Sequence, residues 1–292
     1  MARHADFTYP MYSRLLAAGR AAGYEFLPVR EYLARRETVP DGTADDRSTA
    51  TTAADGGPTG GTERAEGTPT LPDRFAVLRH DVDRKPLNAL AMARLEAEHD
   101  VTSTYYVRTI DKTFQPDLIE RIAALGHEVG YHYEDLDRAD GDPRAALSSF
   151  ETELNRLRRL VDVDTVCMHG NPLSPHDNRD MWTHADFGQF DLLGEAYLSM
   201  DFDDVTYFSD TGRTWRDGDL KVKDHTMGEG EKSVQVDTTR ELAGVLLSGR
   251  LDRVCLLSHP NRWAGSRPEW LTEYAKDAAV NVVKRGLSLV SS

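Results

Sequence analysis

The chain has 292 residues, 39% of them hydrophobic, and carries 35 Lys and Arg against 49 Asp and Glu for a formal net charge of −14. A chain of this size can bury a substantial core, so one catalytic domain with extra N-terminal material is expected. The acidic balance argues against nucleic acid or an anionic membrane as partner.

Met1-Ala2-Arg3-His4-Ala5-Asp6 offers no apolar leader, and no later stretch reaches transmembrane length, so a cytoplasmic protein is expected. Tyr12, Leu15 and Leu16 share a helical face, and Gly23 breaks the pattern before Tyr24 and Phe26. This predicts a helix, a turn, a short strand and a second short helix near Arg30 to Arg36, an N-terminal extension over 1–37 that packs on the main domain. From Thr38 to Thr70 the composition turns to Thr, Ala, Gly, Asp and Pro. Such a segment cannot bury enough surface to offset its ordering entropy, and a disordered insertion over 38–70 follows.

From Leu71 on, strands and helices alternate. The pattern predicts a strand over Phe75–Asp81, a helix over Leu87–His99, a strand over Val101–Val107 and a helix over Pro116–Leu125. It continues with a strand over His127–His132, a helix over Pro143–Leu160 and a strand over Thr165–His169. After an irregular middle come a strand over Ser233–Val236, a helix over Thr238–Leu247, a strand over Arg253–His259 and a helix over Glu269–Val283. Repeated units of this kind give an α/β fold with a parallel sheet, here expected to close into a barrel over 71–292. Cys167 and Cys255, both in apolar runs, are expected as reduced core thiols. Lys85 and Lys112 are the lysines of the first half, and an Asp-rich, Lys-poor surface suits a high-salt cytoplasm, although GC-rich codon usage also favours Arg.

In Arg79-His80-Asp81-Val82-Asp83-Arg84, Asp81 and Asp83 share one face of a strand end. Two adjacent carboxylates repel unless a cation sits between them, and a divalent ion with one acid as ligand and the other as base is the usual solution. His132, His169 and His259 also end predicted strands, where a parallel barrel presents its chemistry. The convergence of these residues points to a metal or acid–base centre.

These motifs resemble the polysaccharide deacetylases of carbohydrate esterase family 4, the NodB-homology domain. His80-Asp81-Val82-Asp83 looks like that family's acid pair with one residue inserted, and Gly126-His127-Glu128-Val129-Gly130 with His132 matches its second motif. Val254-Cys255-Leu256-Leu257-Ser258-His259 is similar to its last. The resemblance covers about Leu71 to the C-terminus and implies a parallel-stranded, distorted (β/α)7-type barrel. Two departures stand out: Leu136 occupies the position of the family's next ligand His, and His169-Gly170-Asn171-Pro172 stands where an Arg-x-Pro loop is usual.

The resemblance implies hydrolysis of a non-peptide C–N bond, the N-acetyl group of an amino sugar in a carbohydrate substrate, with one divalent ion, zinc, as cofactor. It makes Asp81 the base, His259 the general acid, and Asp83 and His132 metal ligands; with Leu136 at the family's next ligand position, His169 at the end of the following strand is the preferred third ligand and Glu134 its rival. Arg79, Asn171 and Trp263 are expected to bind substrate, and Arg79 and Arg84 to hold Asp81 ionised. Asp201-Phe202-Asp203-Asp204 with Tyr207 and Trp215 reads as a solvated hairpin turning at Ser209-Asp210-Thr211-Gly212, or as the lining of a sugar site. The alternatives to the enzyme are an inactive carbohydrate-binding barrel and a metal hydrolase of another amide; oligomeric state is left open.

Overall fold

The computed structural model describes residues 5–37, 70–171, 174–217 and 234–278. Apart from Thr70, the expected disordered insertion lies outside the described residues. Eight parallel strands form one sheet: β1 (Glu25–Leu27), β2 (Phe75–Val82), β3 (Thr104–Val107), β4 (Glu128–Tyr133), β5 (Thr165–Met168), β6 (Gly194–Glu195), β7 (Thr206–Ser209) and β8 (Arg253–Ser258). Their order is β6-β5-β4-β3-β2-β8-β7. On β2, β8 runs along Phe75–His80, while β1 takes Phe75–Val77 and β3 takes Arg79–Val82. The N-terminal extension therefore contributes a strand to the sheet as well as packing on it.

The sheet curls. Arg79, in the middle strand, places its guanidinium 2.7 Å from Cys167 Sγ on β5, 3.3 Å from the Tyr207 hydroxyl on β7 and 4.2 Å from the Tyr197 ring just after β6. The edge strands β6 and β7 are not paired with each other among the described residues, and the Tyr197 and Tyr207 hydroxyls, 3.3 Å apart, span the gap. The result is a distorted half-barrel of seven strands plus β1. Every residue of β2, β3, β4 and β5 is buried, which is why these strands read as near-continuous apolar runs.

Helices α1 (Tyr9–Ala21), α2 (Val29–Glu37), α3 (Pro86–Glu98), α4 (Pro116–Ala124), α5 (Asp135–Arg138), α6 (Pro143–Arg158), α7 (Thr239–Ser248) and α8 (267–278) surround it. Their boundaries follow local chemistry. Proline opens α3, α4 and α6, where its missing N–H would have no helical partner, and Asp142 caps α6 by accepting from the Arg144 and Ala145 amides. Thr238 and Glu241 form a reciprocal cap on α7, which ends at Gly249 in the left-handed region. Among the described residues no helix is long and apolar enough to cross a membrane.

Two sequence expectations change. Val234–Val236 is irregular, not a strand, and Ser233 lies outside the described residues, as does the end of the predicted last helix. The expected hairpin is absent because β7 pairs parallel with β8, so the turn after Ser209 lies at the carboxyl end of the sheet. Asp204 pairs instead with Arg253 at the start of β8, the opposite end from His259, and Trp215 is buried against Phe7 and Trp263. That acidic cluster does not line the predicted site.

Candidate metal centre

Parallel pairing brings the ends of β2, β4, β5 and β8 together, and with them Asp81, Asp83, His132, His169 and His259. Asp83 Oδ1 lies 3.4 Å from His132 Nε2 and 3.6 Å from His169 Nε2. A tetrahedral ion with bonds of about 2.0 Å has ligand–ligand edges of about 3.3 Å, which Asp83 meets with each imidazole. The two imidazoles, with ring centroids 5.2 Å apart, stand wider and would have to close around an ion. Their donor set, one carboxylate oxygen and two imidazole nitrogens, suits a borderline divalent ion such as Zn²⁺.

The second nitrogen of His132 is engaged: its Nδ1 donates to the Cys167 carbonyl at 2.9 Å, while His169 Nδ1 lies 3.1 Å from Glu134 Oε2 without hydrogen-bond geometry. Both arrangements leave Nε2 toward Asp83, the orientation metal-ligating histidines need. Glu134, the rival third ligand, is held by Arg108 at 2.5 Å and Arg138 at 2.8 Å as well as by His169. Its carboxyl is pushed well below the usual range because His169, Arg108 and Arg138 outweigh burial. Arg108 also reaches the Asp83 carbonyl at 3.5 Å, tying the loop after β2 to the end of β4.

The two acids sit in different fields. Asp81 lies 3.8 Å from the buried Arg79 guanidinium and 3.8 Å from His132 Nε2. Asp83, about a quarter exposed, faces the histidines; burial pushes its carboxyl up, but the His132 hydrogen bond and the charges of His259, His169 and His132 hold it well below the ordinary value. His132 is raised in turn, its two carboxylate neighbours outweighing burial. Arg84 turns away toward Glu273 and Asp277 on α8, at 3.9 and 3.6 Å, so Arg79 is the cation beside Asp81.

His259 is backed by a residue whose role the sequence did not suggest. Asp210, fully buried just after β7, accepts from the His259 amide at 2.9 Å and lies 2.7 Å from its Nδ1. Arg262 at 3.0 Å and the Trp263 indole N–H at 2.9 Å complete its shell. Burial raises the Asp210 carboxyl, and His259 and Arg262 more than reverse this. The available signal was position: Asp210 ends a strand beside β8, just as Asp81 and His259 end theirs.

Of the expected substrate contacts, Arg79 and Trp263 are both 0% exposed and have no surface to offer a sugar. Arg79 supports Asp81 from inside the barrel; Trp263 packs among Phe7, Tyr12 and Trp215 and supports Asp210. Asn171 is half-buried in the loop after β5, where its carbonyl accepts from the Ser174 amide at 3.1 Å.

No protein-family profile and no curated protein matches the chain. Among solved structures it is similar in fold to CE4-family proteins at low identity. One is BA3943 from Bacillus anthracis, described as a CE4 family pseudoenzyme, at 13% identity and TM-score 0.37, with 71% of this chain and 61% of that one covered. A CE4 esterase from Streptococcus mutans aligns at 12% identity and TM-score 0.41, over 73% and 83% of the two chains. The peptidoglycan deacetylase PdaC from Bacillus subtilis aligns at 12% identity and TM-score 0.36, over 73% and 97%. The chain thus spans less than two thirds of the length of BA3943.

Proposed function

We propose that this protein is a metal-dependent hydrolase of a non-peptide C–N bond, and that its reaction is removal of the N-acetyl group from an amino sugar. The observation that supports this reading is that Asp83 Oδ1 lies within 3.4 and 3.6 Å of the His132 and His169 imidazoles, with Asp81 beside His132 and the His259–Asp210 pair at the end of the neighbouring strand. A divalent ion held by these three residues would acidify a water and polarise the acyl oxygen.

The remaining chemistry belongs to the chain. Asp81 accepts the proton of the attacking water, a role worth about 10²–10⁴-fold, with the Arg79 guanidinium 3.8 Å behind it. Asp210 accepts a hydrogen bond from the Nδ1–H of His259, which orients the ring so that the Nε2 proton can pass to the departing amine. Asn171, alone among the three expected substrate contacts, keeps exposed surface. An inactive sugar-binding barrel would need no third imidazole beside Asp83 and His132; that His169 Nε2 faces Asp83 at 3.6 Å supports the enzyme reading.

Metal analysis of protein purified without chelator, followed by acetate release from N-acetylated oligosaccharides, tests the proposal. One equivalent of bound metal and acetate release lost in Asp81→Asn is the expected result. Metal-free protein that neither takes up Zn²⁺ nor releases acetate would overturn it.

A further inference from the structure

We propose that Asp81, His132 and Cys167 form a second, deeper cation site that takes thiophilic ions and excludes occupancy of the Asp83–His132–His169 centre. A ligand atom from each of Asp81, His132 and Cys167 lies within 4.8 Å of the other two. Through Asp81 Oδ2 the edges are 4.0 Å to Cys167 Sγ and 3.8 Å to His132 Nε2. Zinc with bonds of about 2.3 Å to sulfur and about 2.0 Å to oxygen or nitrogen would need edges of about 3.5 and 3.3 Å. The site is about half an ångström too wide for zinc, and a larger thiophilic ion such as Cd²⁺ fits it with less contraction. The shallower set offers only oxygen and nitrogen, so softness separates the two sites.

Charge is balanced in the deeper site. Asp81, Asp83 and a Cys167 thiolate supply three negative charges; Arg79 and a divalent ion supply three positive ones. The Arg79 guanidinium lies 2.7 Å from Sγ; burial outweighs it and holds the free thiol protonated, so the bound ion is what displaces the proton. Binding forms a metal–sulfur bond and releases the thiol proton to solvent, with no change of oxidation state. Depth fits as well: Asp81, His132 and Cys167 are 3%, 1% and 0% exposed.

Exclusion follows from His132. Its Nδ1 is committed to the Cys167 carbonyl, so Nε2 is the nitrogen left to ligate, and it can serve one ion at a time. A thiophilic ion would take His132 from the shallower centre and Asp81 from its work as base. That last consequence rests on the proposed hydrolase; the site itself does not.

Titration of metal-free protein with Cd²⁺ alone, read by the ultraviolet thiolate-to-cadmium charge-transfer band, tests the site. The band should saturate near one equivalent in wild type, His169→Ala and Cys255→Ser. In Cys167→Ser it should vanish, with Cd²⁺ affinity down by at least an order of magnitude and Zn²⁺ affinity nearly unchanged. No band in wild type, or a band that survives Cys167→Ser, overturns the proposal. Should that variant not fold, the ¹¹³Cd resonance of the wild-type protein decides: a one-sulfur shift supports the site, a purely nitrogen and oxygen shift overturns it. Zinc binding that needs His169 while cadmium gives no band would sink this site and leave the hydrolase standing. A cadmium band in protein without acetate release would do the reverse.

Discussion

Glu96 is a carboxylate with no exposed surface, and replacing it by Gln removes its charge while keeping its shape. It lies on α3 behind the sheet, where Oε1 meets His80 at 2.7 Å and also accepts from the Tyr12 hydroxyl. Oε2 accepts from Ser103 at 2.6 Å and Tyr105 at 2.8 Å and lies 3.5 Å from His127. Burial opposes the charge, but His80, His127 and Ser103 win and bring the Glu96 pKa from 4.5 down to about 2. At about 1.4 kcal/mol per pKa unit, the ionised form contributes about 3 kcal/mol to stability at neutral pH. Breaking a buried pair from one side typically costs about 3–5 kcal/mol, which agrees. Because the folded value is depressed, this contribution is complete above the unfolded value and is lost as pH falls through the folded one. Urea unfolding followed by circular dichroism should therefore show Glu96→Gln about 3 kcal/mol less stable than wild type at pH 7, with the gap roughly halved by about pH 3. A gap below about 1 kcal/mol at pH 7, or one of constant size down to pH 3, would refute the reasoning.

Three further outcomes are expected at the candidate centre. His132→Ala and Asp83→Ala should each abolish Zn²⁺ binding, whereas Asp81→Asn keeps the ion and loses turnover; calorimetric titration of the three variants reads this, and the opposite pattern for the two acids would exchange their roles. His169→Ala should lose the ion, while Glu134→Gln, which loosens the His169 ring, should weaken Zn²⁺ by about 10–100-fold; wild-type affinity in His169→Ala would leave His169 outside the ligand set. Asp210→Asn should lower kcat by about 10²–10⁴-fold with Zn²⁺ affinity unchanged, and normal turnover in that variant would remove His259 as the general acid.

Strands β2, β5 and β8 and the residues that end them were legible in the sequence because each carries an apolar run soon followed by an acid or a histidine. Parallel pairing then did the rest, since it lines up carboxyl ends whatever lies between them. Two strands escaped for a physical reason. β6 is Gly194–Glu195, too short to show a period, and β7, Thr206–Ser209, is followed by residues with strong turn chemistry. With β7 read as half of a hairpin, Asp210 became a surface turn and the partner of His259 went unseen. Arg79 and Trp263 illustrate a different limit: proximity in the chain to a site residue does not tell depth. Arg79 shares the face of Asp81 but sits one pleat further inside the barrel. Trp263 follows the single turn Pro260–Arg262, which returns its ring to the aromatic cluster under the site.

That depth difference separates two acids that look equivalent in the sequence. Asp81 is the last inward position on β2 and has a fixed cation, Arg79, on its inner side. Asp83 lies just past the strand end, where its neighbours are imidazoles at 3.4 and 3.6 Å. A second cation placed beside Asp81 must share that space with a guanidinium, which disfavours it unless another anion joins. The thiolate of Cys167 is the group positioned to do so. Beside Asp83 no such partner is needed, because neutral imidazoles ligate without adding charge. The same Asp-x-Asp pair is thus divided by one buried arginine: the outer acid faces two imidazoles, and the inner acid faces a guanidinium and a thiol.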